Sequence, residues 1–195
     1  MHDPRKGHMD AVYQILRYLK GAPGKGLIFR RNNHVSVEGY CDSDWASCAD
    51  DRRSTSGYCI FVGGNLVSWR SKKQSLVAGS TAEVEYRAMA LGVTELLWLK
   101  NMLTELKLDQ RAKMKLWCDN QSAISIANNS VQHDRTKHIE IDRFFIKEKL
   151  DKGELELGYV PTKDQVADGL TKGLSSISMM RGCDKMDLVN IFRPS

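Results

Sequence analysis

Apolar residues at positions 12, 15, 16 and 19 of HMDAVYQILRYLK follow the i, i+3, i+4, i+7 spacing of one helix face and predict an amphipathic helix over residues 8–20. GAPGK, at 21–25, ends it and marks a hinge or boundary. Runs rich in β-branched and aromatic residues predict strands over 27–30, 35–41, 57–62 and 66–70. The last two flank Gly63-Gly64-Asn65, a tight-hairpin composition. A third short run, 76–78, leads to the longest predicted helix, 82–107. A strand over 113–118, a short helix over 121–128, a helix over 137–150, a strand over 155–160 and a last helix over 163–172 follow. Strands in a run, then helices alternating with strands, imply an α/β fold with a mixed sheet. Its early strands are antiparallel, and its later ones return in parallel through helical crossovers. Sites in such sheets lie at the carboxyl ends of strands.

The bulk numbers change this picture little. The 195 residues are 42% hydrophobic and 27% charged, which suits one core of ordinary size plus tails and excludes a disordered chain. A net charge of +5 and a pI near 8.9 fit a polyanionic partner, and fit a solvated surface almost as well. The five cysteines are unevenly spaced and form no C-x-x-C; Cys41, Cys59 and Cys118 lie in apolar runs and read as buried free thiols. The opening MHDPRKGHMD is polar, unlike a signal peptide, and no apolar run approaches the ~20 residues of a membrane span. The expected setting is a reducing one, cytoplasmic or nuclear, with no secretion and no membrane partner.

The chemistry concentrates in acids. Asp42 in GYCDSDW and Asp119 in LWCDNQSA follow strand-like runs, while Glu85 in STAEVEY and Asp168 in DQVADGLTK sit on helix-like segments. A carboxylate carried towards a core is costly without water, a partner or a cation. Several converging carboxylates with no His or Cys among them suggest a hard-metal site for phosphoryl chemistry. Neighbouring acids have other duties. Ser80-Thr81-Ala82-Glu83 is a capping box, and Glu83 stands four residues before Arg87, so Glu83 has a structural role. Glu85, roughly 200° further round the helix, shares the apolar face of Met89, Val93 and Leu96. Thr162-Lys163-Asp164-Gln165 reads as a second capping box, which gives Asp164 the positive helix end and leaves Asp168 a turn later. Asp42 and Asp44 share parity; Asp42 stands nearer the rigid strand. Asp119 fits a helix N-cap as well as it fits a metal ligand.

GYCDSDWASCADDRRSTSGYCIFVGG, LVSWRSKKQSLVAGSTAEVEYRAMA, LWCDNQSAISIANN, HDRTKHIEIDRFFI and YVPTKDQVADGLTKGL occur in this order. Together they resemble the ribonuclease H domain of copia-type retrotransposon Pol polyproteins, those of plant elements most, over about residues 35–174. The resemblance implies a ribonuclease H-like fold, a mixed five-stranded sheet with helices on both faces, and four metal-binding and catalytic acids: Asp42, Glu85, Asp119 and Asp168. It divides the chain into 1–31, a helix and connection after a reverse transcriptase, 32–174, the ribonuclease H domain, and 175–195, a tail with no readable role.

The expected activity is hydrolysis of the RNA strand of an RNA–DNA hybrid with two Mg²⁺ ions, or Mn²⁺, in which Asp42 bridges both ions. The expected partners are that hybrid and the reverse transcriptase domain of the same polyprotein. Arg52, Arg53, Arg70, Lys72 and Lys73 form a basic set for phosphates, and Asn120, Gln121 and Ser122 are candidate readers of the 2′-hydroxyl. Trp45, Trp69 and Trp117 read as core or rim, and Trp98 as core. Two departures stand out. The loop before the last helix lacks the histidine of many cellular ribonucleases H; His133 and His138 fit loop ordering or phosphate contact better than substitution for it. Gly169 replaces an aliphatic residue, beside STAEVEY in place of SSAEAEY, and these two changes are signs of mild drift that imply reduced activity. The competing readings are an inactive remnant that only binds nucleic acid and an integrase- or transposase-like core.

Overall fold

The chain reverses at Gly63 and Gly64, both at positive φ (56° and 77°), so that Val62 pairs with Asn65 across two residues. The structure, a computed structural model, describes residues 3–108, 112–129 and 140–192. Its elements are α1 (Lys6–Gly21), β1 (Lys25–Leu27), β2 (Val37–Asp44), β3 (Thr55–Val62), β4 (Asn65–Lys73), α2 (Thr81–Glu105), β5 (Met114–Cys118), α3 (Gln121–Asn128), α4 (Glu140–Asp151), β6 (Leu155–Tyr159), α5 (Asp168–Thr171), α6 (Ser176–Lys185) and β7 (Leu188–Asn190). A single 3₁₀ turn, Thr162–Asp164, precedes α5. Among the described residues no helix is long and apolar enough to cross a membrane.

Five strands form one mixed sheet in the order β4-β3-β2-β5-β6. β2, β3 and β4 are antiparallel, whereas β5 runs parallel to β2 and β6 parallel to β5. Alternation along β3 sends Tyr58 and Ile60 into the larger core under α2, and Cys59 and Phe61 to the other face. There Val166 and Leu66 close a second cluster, with Leu27, Leu170 and Met186 packed against it. Helices therefore cover both faces, as expected.

Several local expectations fail for physical reasons. The 76–78 run is not a strand: Leu76 and Val77 are exposed, and β4 ends at Lys73. Residues 163–172 do not form one helix, because the chain leaves the 3₁₀ turn with Gln165 extended and restarts at Asp168. The second capping box does not form either. Thr162 donates its hydroxyl to Asp119, and Asp164 pairs with Lys185. Trp98 is exposed, since it lies roughly 200° round the helix from the buried Leu96. Trp45 and Trp69 are exposed too, while Trp117 stacks on Tyr40. α1 forms, yet Val12, Ile15, Leu16 and Leu19 are exposed and none of its residues is buried. The tail, unreadable in the sequence, builds α6 and β7. β7 pairs antiparallel with β1, and Arg30 binds Asp187 at 3.2 Å.

One glycine sets the spacing of the second layer. Gly57 on β3 lies opposite Asp42, and a Cβ there would stand 2.8 Å from Thr171 Cγ2 and 2.9 Å from Leu170 Cβ. The missing side chain lets α5 lie against the strands beside Asp42. Gly57→Ala should therefore push α5 off the sheet and cost about 1–3 kcal/mol, read as a lower midpoint in urea unfolding.

Candidate metal centre

β2 extends past its partner β5. Their parallel ladder ends at Tyr40–Trp117, while β2 continues to Asp44 along β3. Asp42 therefore lies inside β2 rather than just past it, because Asp42, Ser43 and Asp44 stay paired with Gly57, Ser56 and Thr55. Asp119 follows the last residue of β5, as expected. The opening beyond Cys118 is the carboxyl end of the two parallel strands, where such sheets place their sites.

Each acid reaches this opening by a different route. Asp42 is fully buried and points to the α5 face, where it accepts hydrogen bonds from the Thr171 hydroxyl and, at 2.9 Å, from Lys172 Nζ. Asp168, the first residue of α5, is held at 2.9 Å by the same ammonium. Asp119 Oδ2 accepts from Thr162 at 2.9 Å. Glu85 arrives on α2, on the face of Met89, Val93 and Leu96, all of them buried. Its Oε1 accepts the Ser43 amide at 3.2 Å, and the Cys118 thiol approaches Oε2 at 3.9 Å. Carboxylate oxygens of Asp42, Asp119 and Asp168 lie within 4.8 Å of one another, and Asp119 belongs also to a second group with Glu85 and Cys118. The four predicted acids thus converge, three directly and Glu85 through Asp119.

The acids set aside in the sequence take other places. Glu83 accepts the Gly79 amide and pairs with Arg87 at 2.7 Å, while Ser80 caps α2 by accepting from the Glu83 amide. The Glu83–Arg87 pair is only 15% exposed on each side. Asp44 joins neither carboxylate group. Gln165, read as half of a capping box, is buried. It donates to the Cys41 carbonyl at 2.9 Å and accepts from the Ala167 amide, clamping the segment before α5 to β2. Lys172 and Thr171 are residues the sequence did not single out, and Gln165 was given a different role there; only the Asp168-to-Lys172 spacing of one helical turn pointed to Lys172.

The surrounding groups lie at the same end of the sheet. Ser43 faces Ser56, and Ser56 faces Lys72; Asp44, Thr55 and Lys73 form the next row. Arg52 and Arg53 belong to the loop between β2 and β3. Lys73 and Arg53 are both tied to Asp51, whereas Arg52, Arg70 and Lys72 form no ion pair with a carboxylate among the described residues. Arg70 lies across from Tyr58 on β3. Asn120 caps α3 by accepting the Ala123 amide at 3.0 Å, and Gln121 and Ser122 are exposed in its first turn. His133 and His138 lie outside the described residues. Gly169 is exposed, and a Cβ there would meet only Leu174 Cδ1, at 3.7 Å, so the fold does not require a glycine at that position.

Crowding of acids at a buried point raises their proton affinities. Burial is the largest cause of the rise of Asp42 to about 6, against the Thr171 hydrogen bond and the Lys172 charge. Glu85 is pushed up to about 9 by burial first, then by Cys118, Asp42 and Asp119. Oxygen donors so packed fit a hard divalent ion, which would return them to their charged forms. The Ser43 hydroxyl, on the residue whose amide binds Glu85, is buried with no hydrogen-bond partner among the described residues. Burial also raises the Cys41 thiol and pushes Cys59 up to about 12, so these cysteines stay protonated and free.

These shifts set a pH dependence. A carboxyl whose folded pKa lies above its unfolded value stabilises the fold only while protonated in the unfolded chain, and that stability is lost as pH rises from about 4.5 to about 9 for Glu85. In chelator, the protein should therefore lose stability across this window. Glu85→Gln should flatten the loss and raise stability at pH 8 by roughly 1–3 kcal/mol, read by thermal melts from pH 5 to 9. Gly169→Ala should stabilise by about 0.5–1 kcal/mol in the same assay.

No protein-family model matches the chain. Among curated proteins, it is 39% identical over 191 residues to a retrovirus-related Pol polyprotein from transposon RE2 of Arabidopsis thaliana, covering 98% of this chain and 13% of that one. It is 41% identical over 172 residues to the corresponding polyprotein from transposon TNT 1-94 of Nicotiana tabacum, covering 88% of this chain and 13% of the relative. The chain thus spans about an eighth of the length of these two relatives. Among solved structures, LC11-RNase H1, isolated from compost, superposes with a TM-score of 0.54 at 14% identity, over 70% of this chain and 92% of that one. The same enzyme solved in complex with an RNA/DNA hybrid gives 0.51 at 15% identity. With its five-stranded mixed sheet and its four converging acids, the chain belongs to the family of copia-type retrotransposon Pol polyproteins and carries a ribonuclease H fold.

Proposed function

We propose that this chain is a divalent-metal-dependent endonuclease that hydrolyses the RNA strand of RNA–DNA hybrids during reverse transcription of a retrotransposon. The observation that carries the reading is the convergence of Asp42, Asp119 and Asp168 within 4.8 Å, with Glu85 adjoining through Asp119. Mg²⁺ or Mn²⁺ ions held by these four residues would supply the positive charge that polarises the phosphate and lowers the pKa of the attacking water.

The chain's own residues do the positioning. The Ser43 amide fixes Glu85, Thr162 fixes Asp119, and Gln165 ties the start of α5 to β2, so the acids need little reorganisation to receive their ligand. Water attacks phosphorus and the bond to the 3′-oxygen breaks, which leaves a 5′-phosphate and a 3′-hydroxyl and requires no covalent protein intermediate. Arg52 and Lys72, on the same end of the sheet, suit the phosphates flanking the cut. Gln121 and Ser122, exposed beside Asp119, suit 2′-hydroxyl contacts in the wide minor groove; Asn120 Oδ1 is already engaged as a cap. The reverse transcriptase domain of the same polyprotein is the proposed partner, consistent with how small a share of its relatives the chain spans.

Purified protein with Mg²⁺ and an end-labelled hybrid should cleave only the RNA strand. Asp42→Asn and Glu85→Gln should each lower the rate by at least about a hundredfold, and Glu83→Gln should leave it nearly unchanged. Loss of cleavage in Glu83→Gln but not in Glu85→Gln would reverse the choice of glutamate. Hybrid binding without cleavage identifies a nucleic-acid-binding remnant, and strand transfer on duplex DNA an integrase-like core; either result rejects the proposal.

A further inference from the structure

The ammonium of Lys172 lies between the two innermost carboxylates of the site, 2.9 Å from Asp42 Oδ1 and 2.9 Å from Asp168 Oδ1. It stands one helical turn after Asp168, so the same short helix that delivers an acid also delivers a cation to it. The other oxygen of Asp42 accepts the Thr171 hydroxyl. Both oxygens of a carboxylate with no solvent access are therefore engaged by two consecutive residues of the α5 segment.

An ammonium and a hard divalent ion compete for such oxygens. Each is a compact positive charge that gains most where two carboxylates face each other. In the observed geometry Lys172 takes the position between Asp42 and Asp168, so a metal ion that draws on both must displace it. The side chain has a way out. Its relative exposure is 31%, against 0% for Asp42, and its flexible stem can swing towards solvent while the carboxylate cannot.

We infer that Lys172 is a tethered counter-cation: it holds Asp42 and Asp168 together when no divalent ion is bound and leaves them when one binds. The metal affinity of the centre is then set by competition with the protein's own ammonium. This inference rests on reading the carboxylates as a metal site. It predicts two effects of opposite sign. Without Lys172, Asp42 and Asp168 are left uncompensated and the ion-free protein loses stability. The same change removes a competitor, and the divalent ion binds more tightly. A lysine that served only as a structural salt bridge would produce the first effect without the second.

The test is Mn²⁺ binding to the full chain, followed by electron paramagnetic resonance or calorimetry, with thermal melts in chelator alongside. Lys172→Met should melt at a lower temperature in chelator and bind Mn²⁺ roughly tenfold more tightly than the unaltered protein. Lys172→Arg, which keeps the charge, should stay within about twofold of it. If Lys172→Met is not folded in chelator, Lys172→Gln takes its place in both measurements, with the same two shifts expected. Unchanged or weaker Mn²⁺ binding by Lys172→Met, with binding that Asp42→Asn abolishes, overturns the role of Lys172 alone. Absence of Mn²⁺ binding, or binding indifferent to Asp42→Asn, overturns the metal-site reading and this inference with it.

Discussion

Asp42 brings a carboxylate into the sheet where it has no access to solvent, and a buried charge at such a point costs several kcal/mol unless partners meet it. Much of the local architecture answers that cost. Gly57, opposite on β3, clears the space through which α5 approaches. α5 and the residue after it bring a hydroxyl and an ammonium to Asp42, together with Asp168. Gln165 holds the incoming segment against β2, and Lys185 of α6 ties down Asp164 on the preceding turn.

The centre stands in balance between repulsion and compensation. Burial and mutual proximity raise Asp42 and Glu85, which disfavours an assembly of bare charges. Lys172 moves the other way: burial works against its charge, but Asp168 and Asp42 outweigh it and lift its pKa above the ordinary lysine value. A site that is strained as anions and partly neutralised by one tethered cation is prepared to accept further positive charge. The proposed phosphoryl-transfer role would require this, since the protein part of such a centre is mainly positioning and electrostatics.

The second sheet face shows how distant segments come to support the same point. Val166 and Leu170, which flank Asp168 in the chain, pack against Cys59, Phe61 and Leu66 with Leu27 and Met186. The strand before the sheet and the tail after it meet as the β1–β7 pair. The tail therefore contributes to the layer that carries one of the acids, although it contains none of them.

Periodicity and turn chemistry revealed most of the elements, because strands alternate and helices repeat on short length scales that a linear reading detects. The Gly63-Gly64 hairpin, the capping of α2 by Ser80 and Glu83, and the burial of Glu85 beside Met89 and Val93 follow from neighbours within a few residues. The choice of Asp42, Glu85, Asp119 and Asp168 was legible for the same reason: their neighbouring acids had local duties, and the ordered motifs matched a known family. Non-local pairing was not legible. That Asp42 lies within β2 depends on Thr55–Gly57 across the sheet, and the break at Gln165 depends on a carbonyl 124 residues away. The exposure of Trp98 and of the apolar face of α1 depends on what packs opposite them. Sequence alone determined which acidic side chains are the candidates for the chemistry, since residue type and local spacing specify that. Only the tertiary structure decided that Lys172 stands among the acids, because what compensates a buried charge is set by the partners that folding brings within reach.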